Sequence, residues 1–193
     1  MSAVAAGRRA AEVATAARLV LERDGADGLT MRAVADELGI RAPSLYKHVA
    51  GKSAIEVALV ATALSEIGEA MRAAVARPGR RSPVHALLVA YRRYALAHPN
   101  LYRLATAGPL PRAELPEGLE DWAGEPFFLV TGDPSRSQAL WSFAHGMVVL
   151  ELDGRFPAGS DLDHTWAEGA AAFGGKATAP SGASRGTDGQ VRR

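Results

Sequence analysis

Residues 41–52, RAPSLYKHVAGK, hold three basic side chains, a tyrosine and a histidine, and no acidic residue. Lysine and arginine bind phosphate oxygens, and short polar or basic side chains near the start of a helix can reach the edges of base pairs. Net charge does not show whether this segment binds nucleic acid, since the whole chain carries only +1. The first 53 residues are only mildly basic, so the positions of these side chains must carry any argument for nucleic-acid binding.

Two short helices separated by a turn are predicted to position this segment. Thr30 suits the N-cap of a helix over residues 31–38, and Gly39 supplies its stop. Pro43 suits the first position of the next helix, which we predict to run to about Val49, because proline lacks the N–H that has no partner there. Helix pairs of this kind are common, so the spacing of their key residues must decide what they form.

Three residues at fixed spacing indicate a helix-turn-helix. Ala35, Gly39 and Leu45 supply a small residue at the helix crossing, a turn residue that tolerates positive φ, and an apolar anchor for the second helix. Leu45 and Val49 lie four residues apart and would face inward. The outward side of that helix would present Pro43, Ser44, Lys47 and His48. The N-terminal residues of a recognition helix enter the major groove of DNA in this way.

The segment GLTMRAVADELGIRAPSLYKHVAGKSAI resembles the DNA-binding region of the TetR family of bacterial repressors, over roughly residues 8–60. The likeness rests chiefly on the run from Leu45 to Val49 followed by Lys52. It implies that the side chains facing bases or sugar edges are Arg32, Pro43, Ser44, Lys47 and His48. It implies phosphate contacts from Thr30, Tyr46 and Lys52, with the Tyr46 ring packed between helices. Ala42 is shorter than the polar base reader that close relatives carry there.

The rest of the sequence predicts an all-α protein, because helical spacing of apolar residues recurs and strand-like alternation is nearly absent. Further helices are predicted over 8–24, over 53–76, from Pro83 to the interruption at His98-Pro99, from there to about Ala105, over 134–152, and from the cap Asp161 to about Phe173. Residues 108–132 are rich in proline, glycine and acid, and predict a loop with one or two helical turns.

Two later stretches, YRRYALAHPNLYRL and LWSFAHGMVVLEL, combine aromatic residues with histidine. In the second stretch Gly146 interrupts an apolar helix at a cost of up to about 1 kcal/mol, which favours close approach by another helix or a ligand. Trp141, His145 and Gly146 resemble the signature of a TetR subgroup named for Trp-His-Gly. The earlier companion pattern is carried by Ala95, His98, Pro99, Leu101 and Tyr102.

This resemblance implies an N-terminal three-helix helix-turn-helix domain at 1–52 and a helical effector-binding and dimerisation domain at 53–173. The tail at 174–193 has almost no large apolar residue, which predicts disorder. A small-molecule pocket would be lined by Tyr91, Tyr94, Tyr102, Phe127, Phe128, Trp141 and His145. A homodimer interface would be anchored by Trp141, Phe143, Val149 and Trp166. Aromatic residues at helical spacing also suit an ordinary monomer core, and that alternative stays open for every residue of both sets.

The expected partners are double-stranded DNA with a palindromic operator, an unidentified small-molecule effector and a second copy of the chain. The acidic stretch 114–125 weakly favours a cationic effector. The chain has no cysteine and no apolar run near the ~20 residues of a membrane span, so we expect a cytoplasmic protein that meets no membrane.

An enzyme is the less favoured alternative, and no catalytic residue, metal or cofactor is predicted. Glycine-rich phosphate loops and GxSxG or HExxH motifs are absent from the sequence. His164 and Glu168, near Asp161 and Asp163, are too few to specify a metal site. A non-specific or architectural DNA-binding protein is a further alternative, because it needs the same basic surface without base readout.

Overall fold

The computed structural model describes residues 3–175, with side chains from residue 8 onward, and the regular structure of that part is helical throughout. The helices are α1 Ala3–Gly28, α2 Met31–Glu37, α3 Ala42–Leu45, α4 Lys52–Ala76, α5 Pro83–Ala97, α6 Pro99–Thr106, α7 Leu119–Thr131, α8 Pro134–Leu152 and α9 Leu162–Gly174, with a 3-10 turn at Arg112–Glu114. The predicted all-α fold is confirmed. Of the predicted disordered tail at 174–193, Gly174 is the last residue of α9, and residues 176–193 lie outside the described residues.

Four helices begin at the capping residues that the sequence indicates. In each case a side-chain oxygen accepts a hydrogen bond from a backbone N–H three residues later, at 2.8–3.2 Å. These bonds satisfy N–H groups that have no partner inside the first helical turn. The capping residues are Thr30, Ser82, Asp133 and Asp161.

The second helix of the helix-turn-helix is shorter than predicted, since α3 ends at Leu45 and not at Val49. The chain continues in tight turns, in which Lys47 N–H bonds the Ser44 carbonyl at 3.3 Å and His48 N–H bonds the Leu45 carbonyl at 2.9 Å. Aromatic and β-branched residues at 46, 48 and 49 have weak helix propensity, which accounts for the early end. Val49 still packs against the core, as its spacing from Leu45 indicates.

The predicted loop at 108–132 is wrong over its second half, which forms the thirteen-residue helix α7 around Pro126. Proline removes the N–H that would bond the carbonyl four residues earlier, which belongs to Trp122. Arg72 on α4 replaces this bond, because its Nη2 donates to the Trp122 carbonyl at 2.5 Å. The same guanidinium lies 4.5 Å from the Trp122 ring centre and pairs with Glu125. A contact from α4 therefore compensates the proline.

We expect Arg72→Met to lower the free energy of unfolding by about 1–2 kcal/mol, because the Trp122 carbonyl then loses its donor and the ring its cation. Adding Pro126→Ala should recover part of that loss, since an alanine at this position would supply the missing N–H. Urea denaturation followed by circular dichroism measures both effects in a double-mutant cycle. Arg81→Met, at an exposed position, is the control. Strictly additive effects of the two substitutions would contradict this account of Pro126.

Helix α4 joins two hydrophobic cores. Its first half contributes Ile55, Leu59 and Ala63 to a core shared with α1, α2 and α3. Its second half contributes Ile67 and Met71 to a core shared with α5, α7, α8 and α9. The predicted domain boundary after residue 52 therefore assigns α4 to the second domain, although α4 contributes to the cores of both domains.

Helix α6 also bridges the two cores. Leu101 on α6 is fully buried within the first core. The Glu22 carboxylate on α1 accepts backbone N–H bonds from Asn100 at 3.3 Å and Leu101 at 3.2 Å, at the start of α6. A carboxylate suits this position because the first turn of a helix has free N–H groups and partial positive charge.

Candidate DNA-binding surface and effector cavity

The turn between α2 and α3 has the geometry that a helix-turn-helix requires. Ala35 is 1% exposed where the helices meet, and Leu45 is fully buried. Gly39 adopts φ +66°, the left-handed region in which other residues are disfavoured. The Ile40 N–H then bonds the Ala35 carbonyl at 3.0 Å and closes the turn. Leu45 is the buried residue that holds α3 against the core.

Every predicted DNA-contact residue lies at the surface. The exposed ones are Thr30, Arg32, Pro43, Tyr46, Lys47 and Lys52, and the half-buried ones are Ser44 and His48. Tyr46 differs from the expectation of a packed ring, because its side chain is 58% exposed. It directly follows Leu45, the last residue of α3, and lies outside the core. Its ring is thus available to a partner.

The cations of this surface differ in how strongly the chain itself holds them. Arg32 lies 3.9 Å from Asp36, and Lys52 lies 3.5 Å from Glu56 and 3.4 Å from the Ala26 carbonyl. Such exposed pairs are weak and easily exchanged for phosphate. Over residues 8–175, no carboxylate lies within 4.0 Å of Lys47. Lys47, like the exposed Arg41 of the same segment, is therefore a cation that DNA could bind at no cost in internal pairing.

Arginines elsewhere in the first domain are engaged internally. Arg23 donates to both Asp24 and Glu37, and its hydrogen bond to Asp24, then that to Glu37, raises its pKa. Arg8 and Arg9 lie on α1 and pair with Glu12 at 3.7 and 2.6 Å. These contacts favour ordinary surface ion pairs for both.

A cavity of about 480 Å³ lies in the second domain between α4, α5, α6, α7 and α8. Five of the predicted pocket residues line it, namely Tyr91, Tyr94, Tyr102, Phe127 and Trp141. Two do not. Phe128 is 48% exposed on the other side of α7, because the unforeseen helix turns neighbouring residues in different directions. His145 lies behind Tyr102 and reaches the cavity only through it.

A chain of hydrogen bonds forms the polar part of this cavity. The Tyr91 and Tyr102 hydroxyls are 2.9 Å apart, and the Tyr102 hydroxyl is 2.8 Å from His145 Nδ1. Burial raises the pKa of Tyr91 to about 12, so its phenol is neutral. The Trp141 ring stacks on His145 with an interplanar angle of 25°. The position of His145 is therefore set by a tyrosine on one side and an indole on the other.

Burial lowers the pKa of His145, so the folded protein binds its proton less readily than the unfolded chain does. We expect the free energy of unfolding to keep its full value above about pH 6.5, the ordinary histidine pKa, and to fall as the pH drops below that value. His145→Gln should flatten this dependence in melting temperatures measured across that range. His164→Gln, at an exposed site, should keep the wild-type dependence. An unchanged pH profile in His145→Gln would contradict the assignment.

The predicted dimer anchors occupy different environments. Trp166 is 3% exposed and packs within the core of its own chain, and its indole N–H donates to Glu151 at 3.3 Å. This burial favours the alternative of an ordinary monomer-core residue for Trp166. Phe143 is half-buried against Trp166 and fills the space that a side chain at Gly169 would need. Phe143 on α8 and Trp166 on α9 therefore pack these two helices together.

The remaining anchors are partly exposed on α8. Trp141 is 48% exposed and Val149 is half-exposed. The sequence predicts a close approach at Gly146, yet within residues 8–175 no atom beyond the helix's own backbone lies within 4 Å of a Cβ placed there. The described part of the chain therefore gives no packing reason for this glycine.

Sequence reasoning missed several residues that shape the cavity and its connections. Arg112 and Glu120 pair at its mouth through bonds of 2.6 and 2.7 Å. Glu66 on α4 accepts from Arg18 on α1 and from the Tyr94 hydroxyl. A carboxylate between the buried positions Ala63 and Ile67 was the signal that could have indicated Glu66.

The described part of the chain supports neither a metal site nor a membrane-spanning helix. Within residues 8–175 no three His, Asp or Glu side chains come together as metal ligands would, and His164 and Glu168 lie 3.8 Å apart at the surface. None of the helices described is both long and apolar enough to span a bilayer.

Two family models match the chain. Residues 13–59 match the bacterial regulatory proteins of the tetR family, and residues 84–173 match the tetracyclin repressor-like C-terminal domain. An uncharacterized HTH-type transcriptional regulator of Mycobacterium tuberculosis is 33% identical over 144 residues, which cover 69% of this chain. The chain spans 66%, 49% and 41% of the lengths of three curated relatives that it matches.

Solved structures share the fold. A protein of unknown function from Rhodococcus sp. RHA1 has a TM-score of 0.71 at 24% identity, covering 85% of this chain and 92% of its own. A TetR variant from Acinetobacter baumannii AYE in complex with minocycline has a TM-score of 0.55 at 21% identity, covering 84% and 90%. With both the helix-turn-helix and the helices behind it matched by models of one family, the chain belongs to the TetR family of bacterial regulatory proteins.

Proposed function

We propose that this protein is a sequence-specific DNA-binding transcriptional regulator in the cytoplasm, a repressor that a small molecule releases from a palindromic operator. The observation that carries the proposal is the exposed pair Tyr46 and Lys47, held directly beside the buried anchor Leu45. An exposed aromatic ring and an unpaired cation at the end of a short helix suit a phosphate backbone and the adjacent groove.

A homodimer is part of the proposal. One helix-turn-helix reads few base pairs, so two copies on a palindrome supply the specificity that a regulator needs. The exposed face of α8 is the surface we propose for pairing, since Trp141 is 48% exposed and Val149 half-exposed there, and within residues 8–175 no atom beyond the helix's own backbone lies within 4 Å of a Cβ placed at Gly146. We also propose the Trp-His-Gly subtype for this domain, on Trp141, His145 and Gly146.

The cavity is the proposed effector site. Its wall includes Ile67 and Met71 of α4, and the same helix begins at Lys52, just after the turn that carries Tyr46 and Lys47. A ligand that displaces α4 would therefore move the DNA-contacting surface. The solved TetR complex with minocycline shows that a protein of this fold holds a small molecule.

We expect Tyr46→Ala and Lys47→Ala each to weaken binding to operator DNA about tenfold or more, because each removes a contact worth roughly 1–3 kcal/mol. Fluorescence anisotropy with labelled fragments from beside the protein's own gene measures the affinity. Arg155→Ala, which removes an exposed cation far from the helix-turn-helix in sequence, should bind like wild type. Wild-type affinity in both Tyr46→Ala and Lys47→Ala would contradict the proposed surface.

Competition with random DNA distinguishes the regulator from a non-specific binder. A sequence-specific protein binds its operator typically 10³–10⁷-fold more tightly than random sequence. Equal competition by random fragments, with an affinity governed by salt alone, would indicate architectural binding instead.

A further inference from the structure

We infer that the cavity takes an uncharged, largely apolar molecule carrying one hydroxyl or carbonyl group, which hydrogen-bonds to the Tyr91 hydroxyl. The inference deepens the proposed function and rests on it, because it names the chemical class of the effector. Three features of the cavity wall favour this class of ligand: its charges, its occupied polar groups and the hydrogen-bond chain that ends at Tyr91.

The charges of the wall are already balanced. Arg112 and Glu120 are the charged members of the described lining, and they bind each other through two hydrogen bonds at the mouth. The nearby Glu66 carboxylate is held by Arg18 and the Tyr94 hydroxyl. An ion entering the cavity would lose its hydration without meeting a free opposite charge, which is costly. The acidic stretch that favoured a cationic effector is therefore neutralised where it meets the cavity.

Most polar side chains of the wall are already bonded. The Thr106 hydroxyl donates to the Tyr102 carbonyl at 2.8 Å, and the Ser137 hydroxyl donates to the Asp133 carbonyl at 2.7 Å. The Tyr94 hydroxyl donates to Glu66 at 3.1 Å. Tyr102 is engaged on both sides, by Tyr91 and by His145. Within the described lining, Tyr91 is the tyrosine whose hydroxyl bonds only another tyrosine hydroxyl, so it can offer a ligand either an acceptor or a donor, and the Trp141 indole N–H beside it is a further donor.

The hydrogen-bond chain lets Tyr91 serve either kind of ligand group. If His145 Nδ1 accepts from Tyr102, Tyr102 accepts from Tyr91, and the Tyr91 oxygen can accept from a ligand hydroxyl. If His145 Nδ1 carries the proton, both bonds reverse, and the Tyr91 hydroxyl can donate to a ligand carbonyl. The two arrangements differ only in the histidine tautomer and hydroxyl rotation. Neither requires a charge on the ligand.

A probe series on the biphenyl scaffold tests the class. The probes are biphenyl itself, para-phenylphenol, para-acetylbiphenyl, the anion para-phenylbenzoate and the cation para-phenylbenzylammonium, each titrated by calorimetry. We expect the phenol and the ketone to bind about fivefold to tenfold more tightly than biphenyl, as one net hydrogen bond allows. Both charged probes should bind more weakly than the phenol.

Tyr91→Phe should abolish the advantage of the phenol and the ketone while leaving biphenyl affinity unchanged. Tyr94→Phe is the matched control, because it removes a cavity-lining hydroxyl that Glu66 already holds, and it should retain the advantage. The inference is overturned if a charged probe binds best, if no probe binds, or if the advantage survives in Tyr91→Phe. DNA affinity of the same variants is measured in parallel, so failed probe selectivity with intact operator binding counts against the ligand class alone.

Discussion

Leu45→Ala should lower the free energy of unfolding by about 2–5 kcal/mol, the usual cost of truncating a fully buried leucine. Leu45 has no exposed surface and is the buried residue of α3. A helix of four residues cannot persist through its own hydrogen bonds, because helix nucleation is unfavourable. The packing of this one side chain therefore fixes the orientation of the neighbouring Tyr46 and Lys47.

The same substitution should remove operator binding more completely than either Tyr46→Ala or Lys47→Ala, since it releases all the contacts of α3 together. Urea denaturation and fluorescence anisotropy measure the two effects on one protein sample. Leu19→Ala is the matched control, because it makes the same chemical change at a residue that is 55% exposed on α1. If Leu45→Ala and Leu19→Ala behaved alike, Leu45 would not be the anchor of the recognition helix.

The elements that sequence predicts well are those whose signals are local. Thr30, Asp133 and Asp161 accept hydrogen bonds from backbone groups three residues away, so the sequence alone contains both partners. The helix-turn-helix depends likewise on the short spacing of Ala35, Gly39 and Leu45. Long helices such as α4 and α8 follow from apolar spacing, since a buried stripe must recur with the helical period.

What sequence could not predict depends on distant partners. Pro126 argues against a helix until Arg72, more than fifty residues earlier, supplies a donor to the stranded Trp122 carbonyl. Once α7 is taken for a loop, the direction of Phe128 cannot be predicted, which is why the sequence places it with the pocket residues although it is 48% exposed and does not line the cavity. The sequence likewise favours Trp166 as an interface residue, because its contacts with Glu151 and Phe143 in the same chain cannot be predicted from sequence.

A contact between the two domains centres on Glu66. Its carboxylate accepts from Arg18 on α1 at 2.5 Å and from the Tyr94 hydroxyl on α5 at 3.1 Å. Hydrogen bonding to Glu66 raises the pKa of Arg18, as a close ion pair does. Tyr94 lines the cavity, whereas Arg18 belongs to the helix that packs against α2. One carboxylate thus connects the effector wall to the DNA-binding domain.

Glu66→Gln should reduce the coupling between effector binding and DNA binding to near zero. A neutral amide cannot accept both of the charge-strengthened hydrogen bonds that the Glu66 carboxylate accepts. Coupling between two sites is reciprocal and typically amounts to about 5–150-fold in affinity, so it can be measured from either ligand. The measurement is the affinity for para-phenylphenol with and without operator DNA, compared between wild type and variant. Either affinity alone can change without any change in coupling. The decisive quantity is therefore the ratio of the probe affinities measured with and without operator DNA.

Glu69→Gln is the matched control, since it makes the same change one turn further along α4 at an exposed position. It should leave the ratio as in wild type. Loss of the two bonds should also cost Glu66→Gln about 1–2 kcal/mol of stability, a value reduced by the partial exposure of the Arg18–Glu66 pair. If Glu66→Gln loses this stability yet keeps the wild-type ratio, the pair only holds the domains together, and displacement of α4 itself must carry the signal.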